Sequence, residues 1–73
     1  VYPGYDTPYC DRATAHYQLG QYHEALSNYN RAIAINPENP ICYTGRARAY
    51  LKFGNYDAAQ ADFEKSCALG ICQ

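Results

Sequence analysis

The sequence repeats itself with a fixed period. Sliding it by 34 residues lays Tyr9, Arg12, Ala13 and Ala15 over Tyr43, Arg46, Ala47 and Ala49, and Gly20, Tyr22 and Ala25 over Gly54, Tyr56 and Ala59. A period of this length marks a stack of supersecondary units, each too small to bury its own apolar face and each covered by its neighbour. The two copies occupy residues 6–39 and 40–73. Residues 1–5, VYPGY, stand outside the period, and Pro3 and Gly4 oppose helix, so this N-terminal arm is expected to be extended.

Each unit reads as two helices joined by a glycine turn. In the first, Asp6 is the expected N-cap before Thr7 and Pro8, and Tyr9, Ala13, His16 and Tyr17 keep helical spacing up to Gly20. Tyr22, Ala25, Leu26, Tyr29, Ala32 and Ile33 then form an apolar stripe at steps of three and four that ends before Asn36-Pro37. In the second, Asn39 caps, and Pro40 takes the first helical position, where its missing N–H costs nothing. Gly54 closes that helix, and Asn55 caps the last one, which runs through Phe63 to Leu69 before Gly70. The expected helices lie near 7–19, 22–35, 40–53 and 56–69. Ala13, Ala25, Ala47 and Ala59 leave room for the paired backbones to approach.

The order of large aromatic, small residue, glycine, tyrosine, alanine, aromatic, alanine and proline resembles the tetratricopeptide repeat. Tyr9, Ala13, Gly20, Tyr22, Ala25, Tyr29, Ala32 and Pro37 carry it in unit one, and Tyr43, Ala47, Gly54, Tyr56, Ala59, Phe63 and Ser66 in unit two. Two positions depart from the pattern: arginine (Arg12, Arg46) replaces the usual leucine, and Ile71 stands where the second proline belongs. The resemblance implies an all-α fold, two antiparallel helix-turn-helix repeats stacked as a short α-solenoid without a C-terminal capping helix. It also implies a non-enzymatic protein-interaction module that needs no cofactor.

Composition narrows the partners. Six Lys and Arg against seven Asp and Glu, with no like-charge block, leave no electrostatic footprint for nucleic acid or an anionic membrane. No stretch is long and apolar enough for a membrane span, and the start is neither a charged signal region nor an initiator methionine, as expected of a cut or processed chain. The spacing Cys67-x4-Cys72 is not that of a zinc knuckle, and His16 and His23 stand in no ligand pattern with the cysteines, so no metal is expected. Cys10 and His16 are six residues apart, about 240° around a helix, and diverge where a nucleophile and its base must converge. His16 instead reads as a packing residue with one polar edge, and His23 as a solvated one.

Two binding readings remain. The leading one is self-assembly: the face of unit two has no third unit to cover it, so a second copy would stack head-to-tail and build an open filament. Its joint would bring Cys67, Leu69 and Ile71 against Pro8, Tyr9 and Arg12 of the next molecule. An intermolecular disulfide from Cys10 to Cys67 or Cys72 would hold it, implying an oxidising location, extracellular or periplasmic. The competing arrangements are an intrachain Cys67–Cys72 bridge, or four free thiols in a reducing cytoplasm.

The alternative reading is a peptide-binding adaptor, possible as a fragment of a longer repeat protein. By resemblance its groove would be lined by Thr7, Cys10, Thr14, Tyr17 and Gln18 in unit one, and by Ile41, Thr44, Arg48, Leu51 and Lys52 in unit two. Family members that clamp a terminal carboxylate place lysine and asparagine where this chain has Cys10, Thr14 and Gly45, which cannot supply the charge-assisted donors. Arg48 and Lys52, one turn apart, are the remaining attraction for an acidic segment.

Overall fold

The structure, a computed structural model, describes residues 4–70. Its regular elements are four helices, α1 (Asp6–Gln18), α2 (Tyr22–Ile35), α3 (Pro40–Lys52) and α4 (Tyr56–Ala68). Every start and end lies within one residue of the sequence expectation. Three-residue connections at 19–21 and 53–55 reverse the chain, so α1 packs antiparallel on α2 and α3 on α4. The two hairpins stack chiefly through α2 and α3, with α1 also touching α3.

The turns form for the reason the glycines predict. Gly20 (φ 80°) and Gly54 (φ 77°) take the left-handed region after the first helix of each repeat, which an L side chain rarely adopts. Asn39 and Asn55 cap as expected: Asn39 Oδ1 accepts from the Ile41 N–H at 3.0 Å, and Asn55 Oδ1 from the Ala58 N–H at 3.3 Å.

The N-terminus departs from expectation. Asp6 is not a cap but the first helical residue, with Tyr5 in the cap position in a right-handed helical conformation and making no side-chain cap bond. The Asp6 carboxylate is almost wholly buried and accepts from Asn39 Nδ2 at 2.6 Å. A tertiary partner across the repeat junction thus outcompetes the local N–H groups that a cap would serve. Gly4 (φ 93°) and Tyr5 form a turn into α1, so these two residues do not continue an extended arm; the rest of that expectation, residues 1–3, lies outside the described residues.

Small residues make the core. Ala13, Ala25, Ala47 and Ala59 are fully buried, letting the helices of each pair close on one another. Tyr29 reaches from α2 toward α3 and is buried, whereas its repeat counterpart Phe63 is 39% exposed. Gly45 in α3 explains how Tyr29 fits, because a Cβ there would run into the Tyr29 ring. Cys10 and Cys42, both buried, form a disulfide that ties α1 to α3 with their Cα atoms 5.7 Å apart. Cys10 is therefore committed within its own chain, a correction to the expected bond with Cys67 or Cys72 of a neighbour. Cys67 is also disulfide-bonded, and the expectations for Ile71 and Cys72 lie outside the described residues.

The arginine at the usual leucine position carries its own counter-charge. Arg46 grips the buried Asp62 of α4 with two hydrogen bonds, Nε to Oδ2 at 2.8 Å and Nη2 to Oδ1 at 2.7 Å, and its Nη1 donates to Asn30 of α2 at 3.0 Å. The Asp62 hydrogen bond and charge raise the guanidinium above its ordinary pKa against the opposing effect of burial. Arg12, without an acidic partner of this kind, lies over its own helix's Tyr9 ring at 5.5 Å.

Candidate functional site

The inner faces of α1 and α3 enclose a groove of about 320 Å³ whose walls include Thr14, Tyr17, Gln18, Ile41, Thr44 and Arg48. All six stand among the residues assigned to the groove by repeat position. Tyr29 and Gly45 complete it; Gly45 holds one of the family's carboxylate-clamp positions named above, whereas Tyr29 was not expected there. The sequence signal for them was a glycine in mid-helix, where it costs stability unless a close approach requires it.

Four other assigned residues fall elsewhere. Cys10 is buried in its disulfide, and Thr7 is exposed on the first turn of α1. Leu51 lines a second, adjoining concavity rather than this one. Lys52 sets its ammonium over the Tyr22 ring of α2 at 5.8 Å, which removes it from the wall that Arg48 occupies. The histidines act as structure: His16 Nδ1 pairs with Gln21 Oε1 at 2.6 Å across the turn, and the exposed His23 stacks on Phe53 at 4.8 Å.

The groove floor is a hydroxyl relay. The Thr14 hydroxyl donates to the Cys10 carbonyl at 3.0 Å, which uses its one proton. Tyr29 must then be the donor in the 2.8 Å contact between the two hydroxyls. Burial pushes the Tyr29 phenol above its ordinary value, and the Thr14 bond and the charge of Arg48 offset this only in part. Tyr29 stays neutral. A second hydroxyl pair, at other repeat positions, lies in the adjoining concavity, where Thr44 donates to the Pro40 carbonyl at 3.2 Å and meets Ser66 at 2.6 Å.

The second concavity, about 570 Å³, lies between α3 and α4 and shares Thr44 and Arg48 with the first. Leu51, Tyr56 and Phe63 give it apolar surface, and Gln60 and Glu64 of α4 line it beside them. No group of three or more His, Cys, Asp or Glu side chains gathers for a metal among the described residues, and no helix there is long and apolar enough to cross a membrane.

Comparison with known proteins places this architecture. Residues 13–54 match the family described as TPR repeat, and residues 41–69 the family described as Tetratricopeptide repeat. The chain belongs to the tetratricopeptide repeat family. Human tetratricopeptide repeat protein 28 is 43% identical over 47 residues, covering 64% of this chain and 2% of that protein. RNA polymerase II-associated protein 3 of rat is 29% identical over 59 residues, covering 81% of this chain and 9% of that protein. The chain thus spans only a small part of these tetratricopeptide repeat relatives.

Among solved structures, the first tetratricopeptide domain of Spaghetti (RPAP3), bound to the HSP90 peptide SRMEEVD, superposes with a TM-score of 0.90 at 26% identity, covering 96% of this chain and 57% of that one. The family and this neighbour are protein-interaction modules. A relative named for its association with RNA polymerase II, an intracellular enzyme, overturns the extracellular or periplasmic location expected above.

Proposed function

We propose that this tetratricopeptide chain is a non-enzymatic, peptide-binding adaptor, with residues 6–39 and 40–73 acting together as one binding unit. The observation that carries this reading is Arg48, whose guanidinium stands in the wall of the α1/α3 groove and makes no ion pair among the described residues. Every other basic residue of the two first helices has a place: Arg12 on Tyr9, Arg46 on Asp62, Lys52 on Tyr22. An open groove with one unanswered positive charge favours an acidic segment in extended form. The neighbouring domain, bound to a peptide with three acidic residues, supports the same reading.

Titration of fluorescein-labelled SRMEEVD, followed by anisotropy, tests it. Arg48→Glu is expected to weaken binding about tenfold or more, on the order of 1.4 kcal/mol. Lys52→Glu is expected to change it much less, because that ammonium is turned onto Tyr22. Equal binding by the parent and the Arg48 variant would remove the reading's main support. Head-to-tail stacking has lost the covalent link that was to hold it, and peptide binding is preferred for that reason.

A further inference from the structure

Three rungs, one turn apart, join α1 to α3. Asn39 Nδ2 donates to Asp6 at 2.6 Å at the start of both helices, and one turn on Cys10 is bonded to Cys42. A turn further the link runs through Tyr29 of α2, whose hydroxyl meets Thr14 at 2.8 Å and whose ring lies on Gly45. The third rung is the floor of the α1/α3 groove, so the disulfide is the last tie before the groove opens. It also touches the groove directly: the Cys10 carbonyl takes the Thr14 proton, and Ile41, next to Cys42, stands in the wall.

The fold does not hang on this bond. Buried alanines hold α1 on α2 and α3 on α4, and the hairpins stack chiefly through α2 and α3, while direct contact between α1 and α3 is the least extensive. Breaking the disulfide therefore leaves both hairpins and their main interface in place. It frees one relation, the spacing of α1 and α3, which is the width of the groove. Two sulfurs that are no longer bonded part from about 2 Å to a non-bonded contact of ~3.5–4 Å. Cys10, Cys42 and Tyr29 share one buried cluster, and a close-packed interior takes up such a change by moving α1 off α3.

Resting on the peptide-binding reading, we propose that the Cys10–Cys42 pair is a redox control on the α1/α3 groove, which binds peptide more tightly in the disulfide form than in the dithiol form. The reductant is a small thiol. Its thiolate attacks one sulfur of the pair, forming a mixed disulfide and releasing the other cysteine as thiolate, which takes up a proton. A second small thiol attacks the mixed disulfide, so the products are the Cys10 and Cys42 thiols and one small-molecule disulfide. Two electrons and two protons pass to the protein from the two thiols, which are oxidised. Binding and reduction are linked, so a peptide that prefers the disulfide form makes that disulfide harder to reduce by the same factor.

Anisotropy titration of fluorescein-labelled SRMEEVD with and without dithiothreitol tests this, with the state of each cysteine read by alkylation and mass mapping and the fold by circular dichroism. Helicity is expected to persist on reduction while affinity falls about fivefold or more. In glutathione buffers, saturating peptide is expected to move the midpoint of Cys10–Cys42 reduction toward more reducing mixtures. The double variant Cys10→Ala, Cys42→Ala should bind with an affinity that dithiothreitol does not change. Equal or tighter binding after reduction would overturn the proposal, as would a reductant effect that persists in the double variant and so belongs to Cys67. Loss of helicity on reduction or in the double variant would make the bond a staple of the fold and overturn it too. Each of these results leaves the peptide-binding reading standing, whereas no binding in either redox state would overturn both.

Discussion

Asp6 shows what a single side chain does for the junction between repeats. Burial alone would raise its pKa, but the hydrogen bonds from Asn39, Asn36 and the nearby backbone outweigh it and hold the carboxyl below the ordinary 3.8. A folded pKa that lies below the unfolded one stabilises the fold above the unfolded value, and that stability is lost as pH falls through the folded value. Asp6→Asn is therefore expected to lower the thermal midpoint near neutral pH, with the gap from the parent closing as pH falls below the ordinary carboxyl value of 3.8. Thermal denaturation followed at 222 nm across that range checks it; a gap independent of pH would mean the carboxylate charge contributes nothing. Asn39→Ala should cost more than an ordinary cap, about 1–2 kcal/mol or above, since it also leaves Asp6 without its partner. The same logic governs Asp62, which is 5% exposed and answered by Arg46. Arg46→Leu restores the family's usual residue yet strands that carboxylate, and is expected to destabilise by about 3 kcal/mol in urea denaturation. Adding Asp62→Ala should recover much of the loss, and a double variant as unstable as the single one would contradict the pairing.

At the level of helices, the sequence was legible wherever the signal is local. The glycine turns, the Asn39 and Asn55 caps and the alanine contacts follow from backbone sterics and period alone, and the structure reproduces them to within a residue. Four features were not legible, because each depends on which faces meet. Asp6 reads as a cap by every local rule, and only the arrival of Asn39 draws it inward. Cys10 pairs with Cys42, 32 residues away, so the contact joins α1 and α3 two residues short of the period, and a comparison made at 34 passes over it. In the groove, repeat position found six wall residues but could not show Lys52 turned onto Tyr22, since that depends on the packing of α3 against α2. Gly45 belongs to the same class. Glycine to alanine in a helix interior ordinarily stabilises by about 0.5–1 kcal/mol. Here the new methyl meets the Tyr29 ring, so Gly45→Ala is expected instead to destabilise by about 1–3 kcal/mol, the cost of overpacking. Pairing it with Tyr29→Ala should restore the usual sign, because the obstructing ring is gone. Urea denaturation of the four proteins of that double-mutant cycle checks the coupling.

For the whole molecule, the repeat symmetry itself says what happens when two chains meet head-to-tail. The α3/α4 concavity is the counterpart, one period on, of the surface that α3 covers on α1 and α2. A second copy stacked in register would place its α1 there, with Asp11 at the position of Gly45 and Phe63 of the first copy at the position of Tyr29. The one place where α3 can carry no side chain would then hold a carboxylate against an aromatic ring. Burying an unpaired carboxylate costs several kcal/mol, on top of the steric conflict, in a joint that is marginal on apolar area alone. Arg12 would arrive near Glu64, as Arg46 reaches Asn30, but a pair that is exposed before docking returns roughly 1 kcal/mol or less. The chain is therefore expected to sediment as a single molecule at neutral pH, with or without reductant, since its Cys10 is spent internally. Asp11→Gly removes both the charge and the Cβ from an exposed position, and is expected to be the variant that associates, detected as a concentration-dependent rise in sedimentation coefficient. Oligomers of the parent chain that are unchanged by Asp11→Gly would show that copies meet through a different face.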